Sequence, residues 1–381
     1  MSNSGQLVTN ACRRNWTPVG FRIPLLLALV VYLAQHPLGA AEFNLDDLPH
    51  YRAEPQVAGM IRNFGFPLAG AMRAWEDEFQ KYQPRVRFAD RFPSGDVAIA
   101  GLVSGVSDLG PQGRELTLIE HLMFYETFGH APSAVTVATG AYDTEGMANG
   151  LVVFVNARNP IASLTVDQLE GIFGAERTGT LLGFKWQLHN ARGEAMNLRT
   201  WGQLGLTGDW ARQEIHAYGH APSGTTNYFQ LRVLHGSDKW NPNYREYVES
   251  GSKMIGDDDV AMLGGLHHML ADELSQDPYG IAWSVLPQAR GVSGIKALAL
   301  ASDAQGPFVL PSEQSFQDRS YPLSRSIYIY FDRKPGTPLD PKLREFLRFV
   351  LSQEGQRVIA KLGKYLPLTR EVVTAQLKLL E

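Results

Sequence analysis

Two α/β lobes, each a mainly parallel sheet flanked by helices, are the architecture that this chain's patterning predicts. Short β-rich runs alternate with amphipathic helical ones, which is the order of strand, crossover helix and parallel strand. The alternation occurs once before residue 110 and again beyond residue 130. About 340 residues follow the apolar N-terminal segment, enough to bury two cores.

In chain order, VAGMIRNFG (57–65) reads as a strand, LAGAMRAWEDEFQKY (68–82) as a helix, RVRFADRF (85–92) as a strand and VAIAGLVSGV (97–106) as a helix. The second series runs VTVATG (135–140), GLVVFVNA (150–157), the helix TVDQLEGIF (165–173), EIHAYG (214–219), the helix TTNYFQLRVL (225–234) and GIAWSVL (280–286). Near the C-terminus, LDPKLREFLRFVLSQEGQRVIAKL (339–362) has strong helical periodicity, with Pro341 at a first turn and Gly355 placed to separate two helices.

Residues 1–41 read as a secretory signal peptide. Arg13, Arg14 and Arg22 precede IPLLLALVVYLA, and Gly39, Ala40 and Ala41 supply the small residues of a cleavage site. That apolar run is short of the roughly 20 residues a spanning helix needs. Cys12, the only cysteine, precedes the run, so an exported chain has no disulfide framework and depends on its core. The formal net charge of −4 becomes more negative once the three N-terminal arginines are removed. Nucleic acid is therefore excluded as a partner, and any bound anion needs a local site that works against the overall charge.

Two Ser-Gly turns open apparent helices, Ser94-Gly95 before VAIAGLVSGV and Ser223-Gly224-Thr225 before NYFQLRVL. A helix start offers unpaired N–H groups and the positive end of the macrodipole, and a hydroxyl can donate to an oxyanion. Each turn also reads as an ordinary helix cap. Asn63-Phe64-Gly65-Phe66-Pro67 follows the first strand, where Gly65 permits close backbone approach or simply makes a tight turn. Asp108 reads equally as a cleft acid or a turn acid. Arg114 suits an oxyanion, an ion pair with Asp108 or one with Glu115.

The ordered set SGDVAIAGLVSGVSDLGPQGRE, SGTTNYF, DPYGIAW, YPLSRSIYIYF and LSQEGQRVIAKLGKYLPL resembles the phosphate-binding proteins of bacterial ABC transporters, the PstS-like group. The resemblance runs from about Met60 to Leu368. It implies a type II periplasmic binding protein with a two-strand hinge and an oxyanion held between the lobes. Lobe 1 would comprise residues 42–143 and 288–381, and lobe 2 residues 144–287.

Carried onto this chain, the resemblance implies a contact loop at Gly65 and Phe66, the latter through its amide, with Gly65 standing where relatives often have Thr or Ser. It further implies contacts from Ser94, Gly95, Ser223, Gly224 and Thr225, a place near the site for Arg114, and an acid at Asp108 that accepts a hydrogen from a protonated phosphate oxygen. Such an acid penalises sulfate, which has no proton to offer. Relatives carry an Arg before the late Ser; here Tyr218-Gly219-His220 has an imidazole, which substitutes if protonated or else lies outside the site.

The implied function is capture of inorganic phosphate or a related oxyanion by an exported monomer that delivers it to an ABC transporter permease, without cofactor or metal. One alternative is a binding-protein fold with weakened or lost anion binding, acting as a sensor or envelope interaction protein. A secreted hydrolase using Ser223 is the other, although no G-x-S-x-G elbow is present. His267-His268, Glu273 and Asp257-Asp258-Asp259 lack the spacing of a metal site.

Overall fold

The computed structural model describes residues 43–182, 185–248 and 265–381. The proposed signal peptide and the run Asp257-Asp258-Asp259 lie outside the described residues. No helix among the described residues is long and apolar enough to cross a membrane.

The chain opens with strand β1 (Gly59–Phe64), helix α1 (Ala71–Tyr82), β2 (Val86–Arg91), helix α2 (Ala98–Val103), β3 (Gly110–Gln112), helix α3 (Leu118–Phe128) and β4 (Ser133–Thr139). β1 pairs in parallel with β2 over six residues, and its Asn63 forms a parallel bridge with Leu109, the residue before β3. α1 buries Met72, Trp75 and Phe79 one turn apart along one side, as a helix covering a sheet must.

After β4 the chain enters a second sheet with β5 (Val152–Asn156), β6 (Ser163–Thr165), helix α4 (Val166–Phe173) and the hairpin β7 (Thr180–Leu182) and β8 (Lys185–Gln187). Then come β9 (His216–His220), helix α5 (Gly224–Val233), β10 (Arg245–Tyr247), β11 (Gly280–Ser284), β12 (Ile295–Ala297) and β13 (Ala299–Ala301). Their main sheet has the order β10-β9-β11-β5-β12. β14 (Ser326–Phe331) returns to lie between β3 and β4.

β1 with β2 and β6 with β13 form parallel pairs, and the five-stranded sheet combines both kinds of pairing. β9, β10 and β11 run parallel, whereas β5 is antiparallel to β11 and β14 is antiparallel to both β3 and β4. The antiparallel pairs involve the strands by which the chain arrives from the other sheet, because a crossing strand enters against the direction of those already there. The predicted α/β architecture with parallel-containing sheets is present, with antiparallel pairs added where the chain crosses.

Two large hydrophobic cores accompany the two sheets. One runs from Leu151 to Leu323 with Leu366; the other takes Leu45 to Ala141 and resumes from Ile327 to Leu380. The late helical signal forms two helices, Pro341–Val350 and Gln353–Leu362. Ser352, rather than Gly355, separates them, its hydroxyl capping the second. Gly355 lies inside that helix, at a point that demands glycine because a Cβ there would fall 2.2 Å from the Phe349 carbonyl oxygen. The hairpin and the short 3-10 turns between residues 180 and 210 have no counterpart in the sequence reading.

Candidate functional site

The C-terminal ends of β1, β3 and β9 lead to the loops singled out in the sequence. Ser223 caps α5 with extended backbone, its Oγ accepting from the Thr226 amide at 3.2 Å. The Asn227 amide returns to the Ser223 carbonyl, so the helix geometry leaves the Gly224 and Thr225 N–H groups at the exposed first turn. Ser94 does the same for the turn Gly95–Val97, accepting from the Asp96 amide at 3.2 Å.

These elements meet around one crevice between the two cores. A Cβ placed on Gly95 would lie 3.8 Å from Phe66 and 3.5 Å from Gln112; one on Gly113 would lie 3.3 Å from Ala148 and 3.9 Å from Phe66. One on Gly140 would strike the Ala148 carbonyl oxygen at 2.6 Å and the Arg325 Cβ at 3.0 Å. Across the crevice, a Cβ on Gly224 would lie 3.1 Å from the Arg114 Cδ, and Arg325 Nη2 donates to the Gly224 carbonyl at 3.2 Å. Glycine at these points lets both helix starts and both crossing segments, Thr139–Leu151 and Leu323–Ile327, come into contact.

Several expectations change in this geometry. The Phe66 amide is not available to a ligand: it donates to the Pro111 carbonyl at 2.8 Å, and the Gly65 amide donates to that of Arg91 at 3.1 Å. A Cβ on Gly65 would stand 2.4 Å from the Pro111 carbonyl oxygen, so the Thr or Ser of relatives has no room here.

Asp108 is not in the crevice. It is level with Arg62, three residues before Gly65 and so about 10 Å back along the strand direction. Arg62 donates to its carboxylate from Nη2 at 2.6 Å, from Nε at 3.1 Å and from its backbone amide at 2.9 Å. Burial works against that carboxylate's charge, but the Arg62 hydrogen bonds outweigh it and hold the pKa below the ordinary aspartate value.

Arg114 pairs with neither Asp108 nor an open anion site. It donates to Glu120 at 2.7 and 3.1 Å and to Asp96 at 2.6 Å. Burial lowers its pKa and the two carboxylates more than restore it, leaving the group above the ordinary arginine value. Its charge is neutralised locally, and its function is to hold the start of α3 against the Ser94 turn.

His220 is a core side chain. It stacks on Trp283 with centroids 4.6 Å apart and an 11° interplanar angle, and Nε2 meets the Ser284 hydroxyl at 3.0 Å. Trp283 stacks in turn on Phe229 of α5. Burial, reinforced by the nearby Arg325 charge, pushes the imidazole down to about 3, so it is neutral at physiological pH. It cannot stand in for a guanidinium as a cation. Nor does it engage Ser223, whose hydroxyl contacts Thr226, so the Ser–base pair of a hydrolase is not assembled.

Arg325 is the residue that the sequence reading missed. It is 4% exposed, its guanidinium lies 5.2 Å from the Tyr228 ring centroid, and its Nε is buried with no acceptor among the described residues. Its signal was the lone cation in YPLSRSIYIYF, ahead of an otherwise apolar strand.

The fold and the crevice define a two-lobed binding protein of the α/β class. The PBP superfamily domain matches residues 71–354. The phosphate-binding protein PstS of Pseudomonas aeruginosa is 33% identical over 93% of this chain and 97% of its own length. The protein SphX of Synechococcus elongatus is 26% identical over 60% of this chain and 56% of its own. The crystal structure of PstS from Borrelia burgdorferi covers 81% of this chain and 99% of its own, with a TM-score of 0.50 at 14% identity. The chain belongs to the PBP superfamily and, within it, to the PstS-like group, with the type II periplasmic binding protein fold.

Proposed function

We propose that this protein captures inorganic phosphate in the crevice between its two lobes and presents it to an ABC transporter permease. The observation that carries the reading is the first turn of α5, where Gly224, just past the Ser223 cap, lies against the Arg114 side chain from the other core. A helix start of this kind is built for an oxyanion. The PstS of Pseudomonas aeruginosa, similar over nearly the whole of both chains, is named for the same ligand. The lobes divide near residues 143 and 288, with residues 1–41 serving export to the periplasm. The anion bridges the two lobes and favours their closed arrangement by binding it more tightly.

The amides of Gly224 and Thr225 with the hydroxyls of Ser94, Ser223 and Thr225 form the contact set under this reading. Phe66 and Gly95 shape the wall, and Asp108 and His220 lie outside it. Two occupied groups, the Phe66 amide and the Asp108 carboxylate, favour the alternative of weakened anion binding in a sensor or envelope partner. Calorimetric titration of the purified mature protein with phosphate and with sulfate separates the readings. Heat with phosphate, and a melting shift equivalent to about 2.7 kcal/mol at a hundredfold excess over Kd, is expected for the receptor. Absence of both leaves the sensor reading.

A further inference from the structure

A buried oxyanion needs positive charge, because helix amides and hydroxyls offer only partial charges against a full one or two. Among the described residues, Arg114 and Arg325 contact Gly224, and His220 ends the strand that leads to Ser223. Arg114 is neutralised by Glu120 and Asp96, and His220 is neutral in the core. Of these three, Arg325 is left.

Its surroundings are unusual for a structural arginine. The residue is 4% exposed and has no carboxylate partner at ion-pair distance among the described residues. Among the described residues its guanidinium donates to the Gly224 carbonyl, and Nε has no acceptor. Glu115 is the acid whose charge acts most strongly on it, yet the Glu115 Oε1 accepts from Tyr328 and its buried Oε2 has no hydrogen-bond partner among the described residues. The two groups thus act on one another without an ion-pair contact. An unpaired buried guanidinium costs several kcal/mol unless something supplies the missing acceptor.

Position agrees with chemistry. Arg325 lies on the segment that crosses between the two cores, its own carbonyl accepting from the Gly140 amide at 2.7 Å and its Cβ packed against Gly140. Its Nη2 reaches the residue that opens α5, and Tyr228, one turn further on, lies beneath the guanidinium plane with its hydroxyl on the Ser324 carbonyl. The stem is held from the hinge side and the fork is aimed at the helix start.

We propose that Arg325 is the residue that compensates the charge of the anion held at the first turn of α5, supplying from the hinge the cation that the loop before Ser223 lacks. The proposal rests on the phosphate-binding reading. It places the determinant of affinity on a crossing segment rather than on the Ser223 loop.

The test is phosphate titration at constant ionic strength with wild type, Arg325→Gln, Arg325→Lys and Arg232→Gln, each first melted without phosphate. Arg232 donates to the Pro322 carbonyl and serves as the control for loss of a neighbouring charge. The expected result is a loss of about a hundredfold or more in affinity for Arg325→Gln, about tenfold for Arg325→Lys, which keeps the charge but not the fork, and no change for Arg232→Gln. A folded Arg325→Gln that binds within threefold of wild type overturns the assignment, with rough affinity scatter of mutants allowed for. If the Gln variant does not fold, unchanged affinity in Arg325→Lys overturns it. Wild type that binds no phosphate overturns the receptor reading and this assignment together.

Discussion

Arg62 holds Asp108 from three directions, with two side-chain donors and one backbone donor on a single carboxylate. The pair sits beside β1 at Arg62, three residues before Gly65, and ties this strand to the loop before β3. Asp108→Asn should therefore leave the phosphate-to-sulfate affinity ratio unchanged. Stability should fall by about 1 kcal/mol, the modest figure reflecting the 45% exposure of the Arg62 side chain. A collapse of the ratio in paired titrations, with stability intact, would return Asp108 to the ligand.

Gly65→Thr restores the residue type of relatives but should not restore a ligand contact. Its Cβ would meet the Pro111 carbonyl oxygen at 2.4 Å on a backbone with φ +158°. A loss of roughly 1–3 kcal/mol in chemical denaturation is expected, together with weaker rather than tighter phosphate binding.

His220 links the fold to acid. Its folded pKa of about 3 lies below the unfolded value of about 6.5, so the unfolded chain takes up the proton first as pH falls. The stability this residue contributes is complete above pH 6.5 and drains away between there and pH 3. Replacement by Asn, which keeps a polar group for Ser284, should flatten that part of the melting-temperature profile. An unchanged slope between pH 6.5 and 4 would mean that the imidazole is solvated.

Glu76 acts in the opposite sense. Burial, with Asp90 close by, pushes its carboxyl up to about 9, while Asn63 Nδ2 donates to both acids at 2.8 and 3.0 Å. The folded chain holds a proton that the unfolded chain releases near pH 4.5, so stability from this site is full below pH 4.5 and is lost as pH rises through 9. Glu76→Gln, which mimics the protonated form, should raise the melting temperature at pH 8.5 and leave it nearly unchanged at pH 4.5. A drop at pH 8.5 would show that the carboxyl is ionised in the fold.

Much of this architecture is written in local signals. Pro341 behind Asp340 starts a helix where the sequence says one should start, and Ser94 and Ser223 cap the helices they precede, because a cap is decided within three residues. What the chain does at longer range is not written locally. Asp108 matches the resemblance only if its neighbour Arg62, 46 positions away in sequence, is ignored. The Phe66 amide looks free until Pro111 closes on it, and Gly355 looks like a break until the Phe349 carbonyl fills the space a side chain would need. Arg325 was overlooked for the same reason in reverse, since its importance comes from the acceptors it lacks, and an orphaned donor is visible only in three dimensions.

The flat stack of His220, Trp283 and Phe229 places an indole directly behind the helix that meets the other lobe. That arrangement gives the molecule a native optical reporter: a shift of α5 by a fraction of a ring width changes the overlap of the three planes and with it the emission of Trp283.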